Sequence, residues 1–472
     1  MRTDVTRPDI REKCLPGWEN LGCRRSKSHT RGGTSKVSVA QPPTVTVGTT
    51  ERAVTAYGGA VLLRDVMAAL GLVSEVDATL GLKKRRRGLS EGQFVAAMAE
   101  SVALGASCLD DLAVARADAA QELLRGFGVP APQTAGTWLR RFNLGNVRQL
   151  GKALARLQRR AYEATGVNEV TLDFDSTYVF SRSKRRQGVD RTYKKGYALH
   201  PLLCFDAVSG AAVAARLRRG KVHTAGGMKT FLAEALRAVP DGVAVRARFD
   251  SGFYSGALFA QMETAGVTYL CGVPLIARIL EEVARLPEQC WGRCLDKDEG
   301  EVADFGYRPS GSEHFRRYVV KRIMIVRGEQ ASLETGPYHY WVSVTNDFAA
   351  EPAALEAEHR HKALVEGGMR ELKSNFGLSV LRKHQFMANW AWLYLVCLGH
   401  NLCCWLQVLG QLCAGRDGSG LKAKRLRYRY LVVPALVVRS ARRLSVKLPS
   451  AYGGLDRFVE ARQRLRRLTL VS

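Results

Sequence analysis

The chain has 472 residues, 46% of them hydrophobic, which is enough to bury several cores and suggests roughly three domains. Its 71 Lys and Arg residues outnumber its 44 Asp and Glu residues and give a formal charge of +27, which indicates a polyanionic partner, nucleic acid first of all. The 11 cysteines lack disulfide-like spacing, which is typical of a protein in a reducing compartment.

Neither export nor membrane insertion is predicted. The first residues include several arginines but no apolar run long enough for a secretory signal. The apolar stretch over residues 391–412 is interrupted at mid-depth by His400, Asn401 and Gln407, so we expect a buried helix there. A cytoplasmic, nucleoid-associated protein without membrane contact is therefore expected.

The first third of the chain is predicted to contain a tail and a helical domain. Residues 1–50 are rich in Arg, Lys, Ser, Gly and Pro, which is typical of a basic disordered tail. Residues 51–167 repeat apolar positions at helical spacing and are predicted to form a helical DNA-binding domain. Within it, a turn over residues 129–134 leads into a basic helix with Arg140 and Arg141, so a helix-turn-helix is a candidate motif for DNA contact.

Residues 168–273 follow a strand and helix order that carries most of the fold prediction. Val170, Leu172 and Phe174 alternate with polar residues, which indicates a strand with one apolar face. The patterns that follow predict strands at 197–205 and 211–218, a helix at 228–239, a strand at 243–249, a helix at 255–264 and a strand at 267–273. This order, βββαβαβ, is that of the ribonuclease H fold.

The remainder completes an α/β ribonuclease H-like catalytic core with an inserted β-region, preceded by an all-helical N-terminal domain. Residues 274–348 are predicted to be the insertion, with strands near 318–326 and 338–345. Residues 349–412 return to the core as two helices, with a break near Gly377. Residues 413–472 form a basic C-terminal region whose fold the sequence does not assign.

Acidic residues lie where this order would bring separate elements together. Asp173 and Asp175 share one face of the first strand, where they would repel each other unless a cation or a base lies between them. Asp250 directly follows an apolar strand, at the carboxyl end favoured by ligand sites in α/β folds. Metal-dependent phosphoryl transfer needs such acids. A solvated sheet face and a helix N-cap are the alternative interpretations.

A third acid lies among cations on a predicted helix. His359, Lys362, Glu366 and Lys373 fall on one stripe, so Glu366 would enter a metal site while Lys362 and Lys373 contact DNA phosphates. A solvated ion-pair face explains the same spacing.

A basic run between the first two long strands is a candidate phosphate track. It includes Arg185, Arg186, Lys194 and Lys195 and is opposed only by Asp190. An exposed, solvated charge run fits it equally well.

The acidic motifs together resemble those of bacterial insertion-sequence transposases. Asp175-Ser176-Thr177, Asp250-Ser251-Gly252-Phe253-Tyr254, and then Lys362, Glu366 and Lys373 carry the resemblance, which looks closest to the thirteen-eighty family. That family belongs to the DDE branch with a β-insertion before the Glu. The family's signature around the Glu contains Tyr, Arg, Glu and Lys. Here His359 stands in the Tyr position and Lys362 in the Arg position, so the bidentate fork of Arg is replaced by a point charge.

The resemblance implies an activity and its partners. Asp175, Asp250 and Glu366 would be the catalytic acids and would bind two Mg²⁺ or Mn²⁺ ions per active site. The implied reaction is nicking at element ends followed by attack of the freed 3′-hydroxyl on target DNA. The implied substrates are terminal inverted repeats and target DNA, bound by a homodimer in a synaptic complex. A structure-specific nuclease of the same fold, and a non-catalytic DNA-binding protein derived from a transposase, are the alternative functions.

Overall fold

The computed structural model describes residues 45–471 apart from residues 84, 86, 296–299, 310–312, 326–336, 362, 382 and 413–419. For residues 363–366, 470 and 471 the description covers the backbone alone. The predicted basic tail over residues 1–50 lies almost wholly outside the described residues, and Lys362 lies outside them too. Arg52–Ser472 form one compact unit.

Helices make up most of the described chain before the first long strand, as the periodicity of residues 51–167 predicts. A short strand β1 (Val54–Thr55) precedes α1 (Ala60–Ala69), α2 (Leu72–Thr79), α3 (Glu91–Leu104), α4 (Leu112–Ala117), α5 (Ala119–Arg125), α6 (Pro132–Arg140) and α7 (Leu144–Thr165). The start of α3 is fixed by a capping box. The Gln93 N–H donates to Ser90 Oγ at 3.1 Å, and the Ser90 N–H donates to Gln93 Oε1 at 3.0 Å.

The next segment forms the centre of a large mixed sheet and a small separate sheet. Its elements are β2 (Glu169–Ser176), β3 (Val179–Phe180), β4 (Asp190–Arg191), β5 (Tyr197–Leu199), β6 (Leu202–Asp206), β7 (Ala212–Arg216), α8 (Met228–Leu236), β8 (Ala244–Phe249), α9 (Gly256–Thr264) and β9 (Thr268–Val273). β2 pairs with β8 and β8 with β9 in parallel, whereas β6 and β7 are antiparallel. The predicted order of long strands and helices in this segment is confirmed.

One predicted strand is divided in two. The sequence predicts a single strand over residues 197–205, but β5 belongs to the small sheet β3-β5-β4 and β6 belongs to the large sheet. The division falls at His200 and Pro201. Pro201 has no N–H to donate, so the ladder cannot continue through it.

The inserted region extends the same sheet. It contains α10 (Ala277–Ala284), β10 (Gly292–Arg293), β11 (Glu301–Tyr307), β12 (Arg316–Met324) and β13 (Tyr338–Thr345). β13 pairs with β9, so the sheet runs in the order β10-β11-β12-β13-β9-β8-β2-β6-β7. The two strands predicted near residues 318–326 and 338–345 are confirmed as β12 and β13.

The chain then returns to the sheet in helices and ends in a small α/β region. These elements are α11 (Pro352–His361), α12 (Ala363–Asn375), α13 (Phe386–Leu409), α14 (Ala423–Leu426), β14 (Ala435–Ser440), β15 (Arg443–Lys447) and α15 (Leu455–Val471). The break predicted near Gly377 is confirmed, since Gly377 has a φ of +79° and an added Cβ would lie 2.4 Å from the Ser107 carbonyl oxygen. β1 pairs with β14, and Leu465 of α15 joins the core that contains α1.

Two hydrophobic clusters cover the two faces of the large sheet. Phe174 packs with Phe231 of α8 and with the residues of α9 on one face. Leu203 and Phe205 of β6 pack with the N-terminal helices and α13 on the other. α13 is long and apolar enough to cross a membrane by length and composition, yet 89% of its most apolar window is buried inside the protein. The interpretation as a buried helix agrees with this placement.

A buried amide fixes α13 to the edge strand β7. Asn401 Oδ1 accepts the Ala212 N–H at 2.7 Å, and Asn401 Nδ2 donates to the Ala212 carbonyl at 2.8 Å. Asn401 is fully buried, so removal of its amide would leave two backbone groups unsatisfied away from water.

We predict that Asn401→Ala lowers the free energy of unfolding by about 2–4 kcal/mol because both buried hydrogen bonds are lost. Urea unfolding followed by circular dichroism measures the change. Asn168→Ala is the control, because Asn168 is exposed and its recorded hydrogen bond uses its backbone carbonyl. Equal stabilities of the two variants would contradict the prediction.

Candidate active site at the carboxyl ends of β2 and β8

The parallel register of β2 and β8 brings two of the predicted acids to one sheet edge. Asp173 is paired with Arg248, so the same register continued by two residues sets Asp175 beside Asp250. Neighbouring strands lie about 4.8 Å apart, and in-register residues point to the same face. We therefore expect the carboxylates of Asp175 and Asp250 to share one face at the carboxyl ends of the two strands.

Both acids lie where the strands give way to other structure. Asp175 is half-buried near the end of β2, and its Oδ1 accepts the Ser176 N–H at 2.6 Å. Asp250 is exposed, directly follows β8 and precedes a short 3-10 turn, Ser251–Phe253. The Phe253 N–H donates to the Asp250 carbonyl at 3.0 Å, so the backbone of Asp250 is held while its side chain stays accessible.

The helices α11 and α12 cross this edge and carry the third predicted acid. His359 Nε2 lies 3.3 Å from the Phe249 carbonyl oxygen, next to Asp250. Lys373 donates a hydrogen bond to Thr177 Oγ1, two residues beyond Asp175. Glu366 lies in α12, seven residues after His359 and seven before Lys373. Its side chain is outside the described residues, but its backbone lies between anchors beside both aspartates.

Lys373 is part of the electrostatic environment of the site. Burial lowers the pKa of its amine, the charge of Asp175 acts in the opposite direction, and Lys194 lowers it further. Lys373 thus lies within electrostatic range of the predicted catalytic acid Asp175 and of Lys194 in the basic run.

Asp173 forms a buried ion pair with Arg248. Its two oxygens accept hydrogen bonds from Arg248 Nε at 2.6 Å and Nη2 at 2.7 Å, and both side chains are buried. The guanidinium of Arg248 thus compensates the negative charge of Asp173. The sequence contained a signal for Arg248, because Arg246 and Arg248 interrupt an otherwise apolar strand pattern and buried guanidinium groups need partners.

A buried His and Arg support the end of β2. His200 Nε2 lies 3.0 Å from Ser176 Oγ, and its Nδ1 lies 2.9 Å from the Val222 carbonyl oxygen, which can only accept. Burial, aided by the charge of Arg218, lowers the pKa of His200 to about 4, so the ring is neutral near pH 7. Arg218 donates to the carbonyls of His200, His223, Thr224 and Gly226. Arg218 was not singled out from the sequence.

The predicted phosphate-binding residues are divided by exposure. Arg185, Lys194 and Lys195 are exposed, the two lysines in the turn between β4 and β5. Arg186 is half-buried and donates to Ser181 Oγ at 3.1 Å, so it also supports the loop.

The basic helix of the N-terminal part presents two exposed arginines. α6 begins with Pro132 at its first turn, earlier than the predicted turn over residues 129–134 implies. Trp138 and Leu139 are buried, whereas Arg140 and Arg141 are exposed at the end of the helix. These two arginines are accessible to a partner.

Among the described side chains, no group of three or more His, Cys, Asp and Glu could hold a metal ion. Glu366 is not among these side chains, because only its backbone is described. Asp175 and Asp250, at the carboxyl ends of neighbouring strands, would supply two carboxylates, the hard oxygen ligands that Mg²⁺ and Mn²⁺ take. A third carboxylate from α12 would complete such a group.

A family model described as "Transposase DDE domain group 1" matches residues 37–470. The chain belongs to this transposase family. The resemblance to DDE transposases, recognised from the acidic motifs, is thereby confirmed.

Two solved transposase structures are similar to this transposase at low identity. One is a cryo-EM structure of a piggyBac transposase synaptic complex with hairpin DNA, with 12% identity, a TM-score of 0.40, and coverage of 87% of this chain and 82% of that one. The other is a Mos1 transposase paired-end complex with the left transposon end, with 15% identity, a TM-score of 0.17, and coverage of 40% and 62%. Because both TM-scores are below 0.5, neither similarity supports a conclusion about the fold of this chain. A comparison with curated proteins gives no significant match.

We predict that Arg248→Met lowers the free energy of unfolding by about 3–5 kcal/mol, because the buried carboxylate of Asp173 loses the two charge-assisted hydrogen bonds from the guanidinium. The double variant Asp173→Leu/Arg248→Met should recover part of this loss, since it leaves no uncompensated charge. Urea denaturation measures both.

Arg219→Met is the matched control for Arg248→Met. Arg219 also forms a two-point pair with an aspartate, Asp190, at 3.1 Å, but its side chain is 58% exposed. We expect little change in its stability. A loss equal to that of Arg248→Met would contradict the structural role of the Asp173–Arg248 pair.

Proposed function

We propose that the protein is the transposase of a bacterial insertion sequence, which cuts DNA at the element's terminal inverted repeats and joins the ends to target DNA. The observation that carries the proposal is the pair Asp175 and Asp250 at adjacent carboxyl ends of β2 and β8. Family membership supports it. The order β2, β6, β7, α8, β8, α9, β9 supports a ribonuclease H-like core within this mixed sheet.

Asp175, Asp250 and Glu366 would hold two Mg²⁺ or Mn²⁺ ions. The donor chemistry fits, because the site offers carboxylate oxygens and contains no Cys ligand among its named residues. When bound, the ions would prepare the attacking oxygen and stabilise the leaving oxygen of a phosphodiester.

The protein's own residues would position the DNA. Lys373 is held by Thr177 beside the acids, so its amine would contact a phosphate near the scissile bond. Lys194, Lys195 and Arg185 would continue this track along the β4–β5 hairpin and the loop before it. Arg140 and Arg141 would contact the inverted repeat from α6, within a helical DNA-binding domain over residues 51–167. Lys362 and His359, at the signature positions around Glu366, would add a phosphate contact and an accessory side chain.

The proposal also assigns the domains of the chain and its assembly. Residues 168–273 and 349–412 would be the catalytic core, residues 274–348 the insertion and residues 413–472 a basic C-terminal region. A homodimer would hold two element ends in a synaptic complex, in the cytoplasm and on the nucleoid. A nuclease that cuts without joining is the second candidate, and strand-transfer products in a plasmid assay distinguish the two.

We predict that Asp175→Asn, Asp250→Asn and Glu366→Gln each reduce metal-dependent cleavage by at least about 1,000-fold, because ion binding needs all three carboxylates. The assay uses plasmid DNA that contains the coding region with its natural flanks, incubated with Mg²⁺ or Mn²⁺. DNA affinity should stay within about twofold of the unaltered protein, since phosphate contacts come from other residues.

Asp241→Asn is the matched control. Asp241 lies in the turn before β8, at the strand end opposite to Asp250, and its side chain is 97% exposed. Cleavage by this variant should equal that of the unaltered protein. Full cleavage by any of the three site variants would overturn the assignment. No cleavage by the unaltered protein, with DNA binding intact, would favour a non-catalytic DNA-binding protein.

We predict that Lys194→Gln/Lys195→Gln reduces the magnitude of the slope of log DNA affinity against log salt concentration by about 2. Each lost phosphate contact should reduce the magnitude of this slope by about 0.9. Fluorescence anisotropy over a series of KCl concentrations measures the slope. Lys229→Gln/Arg237→Gln is the control, because it removes the same charge from exposed positions at α8, on the opposite face of the sheet. An unchanged slope in the Lys194/Lys195 variant would remove the hairpin from the proposed track.

A further inference from the structure

Aromatic rings are exposed on the small sheet next to the candidate active site. Tyr193 is 76% exposed and Phe180 is 57% exposed. Tyr178 lies between them, with its ring centroid 5.7 Å from that of Tyr193 and 6.1 Å from that of Phe180. Single exposed aromatic residues are common on protein surfaces, but three neighbouring rings form a continuous apolar surface. We refer to Tyr178, Phe180 and Tyr193 as the aromatic surface.

The turn that carries Tyr193 is closed by backbone hydrogen bonds. The turn between β4 and β5 is closed by the Thr192 N–H, which donates to the Gly196 carbonyl at 2.8 Å, and by the Lys195 N–H, which donates to the Thr192 carbonyl at 3.1 Å. Lys195 adopts a φ of +59°, which a residue with a side chain rarely does, so the turn has a defined shape with Tyr193 near its tip. Phe180 lies directly over Gly196, where an added Cβ would be 2.5 Å from its ring.

The aromatic surface is connected to the first predicted catalytic acid. Tyr178 is three residues beyond Asp175 and stacks on His200 with a centroid separation of 4.2 Å. His200 in turn contacts Ser176 Oγ at 3.0 Å, and Ser176 is the neighbour of Asp175. The aromatic surface is therefore joined through His200 and Ser176 to the end of β2 that carries Asp175.

Cations lie beside these rings. Lys194 Nζ is 5.9 Å from the centre of the Tyr193 ring, and Lys194 is within electrostatic range of Lys373. Lys195 is exposed in the same turn. Exposed aromatic faces alternating with cations are the arrangement that binds unpaired nucleotides, because the rings stack on bases while the cations neutralise phosphates.

We propose that the aromatic surface binds an unpaired base of the DNA next to the scissile phosphate, with Tyr193 as the principal stacking ring. This inference rests on the proposed function, since it assigns a role to DNA held at that site. A base in a duplex has both faces covered by its neighbours and cannot stack on a side chain. The protein should therefore prefer DNA whose strands are separated at the position that reaches the hairpin.

Binding to defined oligonucleotides tests this preference without catalysis. The probes are a fully paired duplex and a forked duplex of the same sequence, in which 2-aminopurine occupies the first unpaired position. Both are titrated with the full-length protein in EDTA, with anisotropy and 2-aminopurine fluorescence as readouts. The unaltered protein should bind the fork roughly tenfold more tightly than the duplex and quench the 2-aminopurine.

Three variants separate stacking from charge and folding. Tyr193→Ala should lose the preference for the fork and the quenching, while its affinity for the duplex stays the same. Tyr193→Phe should keep both, because the ring and not the hydroxyl makes the contact. Tyr428→Ala is the control, since Tyr428 is 84% exposed in the C-terminal part of the chain and should leave both readouts unchanged.

Equal affinity of the unaltered protein for both probes would overturn the inference. So would a Tyr193→Ala variant that loses affinity equally for both probes. A Tyr193→Phe variant that behaves like Tyr193→Ala would overturn it too. Loss of the preference in Tyr428→Ala would also overturn it, because the effect would then not belong to the hairpin. Failure of the proposed catalytic function would be distinguishable, since the binding assay is run in EDTA and no cleavage enters it.

Discussion

The parallel pairing of β2 with β8 is the constraint on which the candidate site depends. In this register Asp173 lies opposite Arg248, and their buried side chains form two hydrogen bonds. A slip of one residue would turn the acids to the opposite face and leave a buried charge without its partner, so alternative registers are strongly disfavoured. The position of Asp175 beside Asp250 follows from this pairing.

The inserted strands return the chain to the amino end of β9, and α11 then leads to the carboxyl end of β8, where His359 Nε2 lies 3.3 Å from the Phe249 carbonyl oxygen. β13 pairs with β9, and the segment after it is held where α11 begins. Arg246 of β8 contacts Asp347 at 3.1 Å, and Arg317 of β12 donates to the Ala350 carbonyl at 2.7 Å. Arg248 donates to the Glu358 carbonyl at 2.8 Å, so the guanidinium that pairs with Asp173 also holds α11. The insertion thereby supports the placement of the helix with Glu366.

The sequence predicts the long strands and helices because their apolar periods of two and 3.6 residues are strong signals. It also predicts that Asp175 and Asp250 end strands, because each follows an alternating or apolar pattern. It does not reveal that Asp173 pairs with Arg248, since that contact joins residues 75 positions apart. The extension of the sheet by β13 and the aromatic surface likewise depend on pairings between distant segments, which local periodicity does not reveal.

The central claim is that Asp175 and Asp250 share a divalent cation. Crystals soaked in Mn²⁺ and measured near its absorption edge test it most directly. We expect an anomalous peak within about 2.5 Å of a carboxylate oxygen of each aspartate. A peak that contacts neither aspartate, or only one of them, at Mn²⁺ concentrations that support cleavage would contradict the claim.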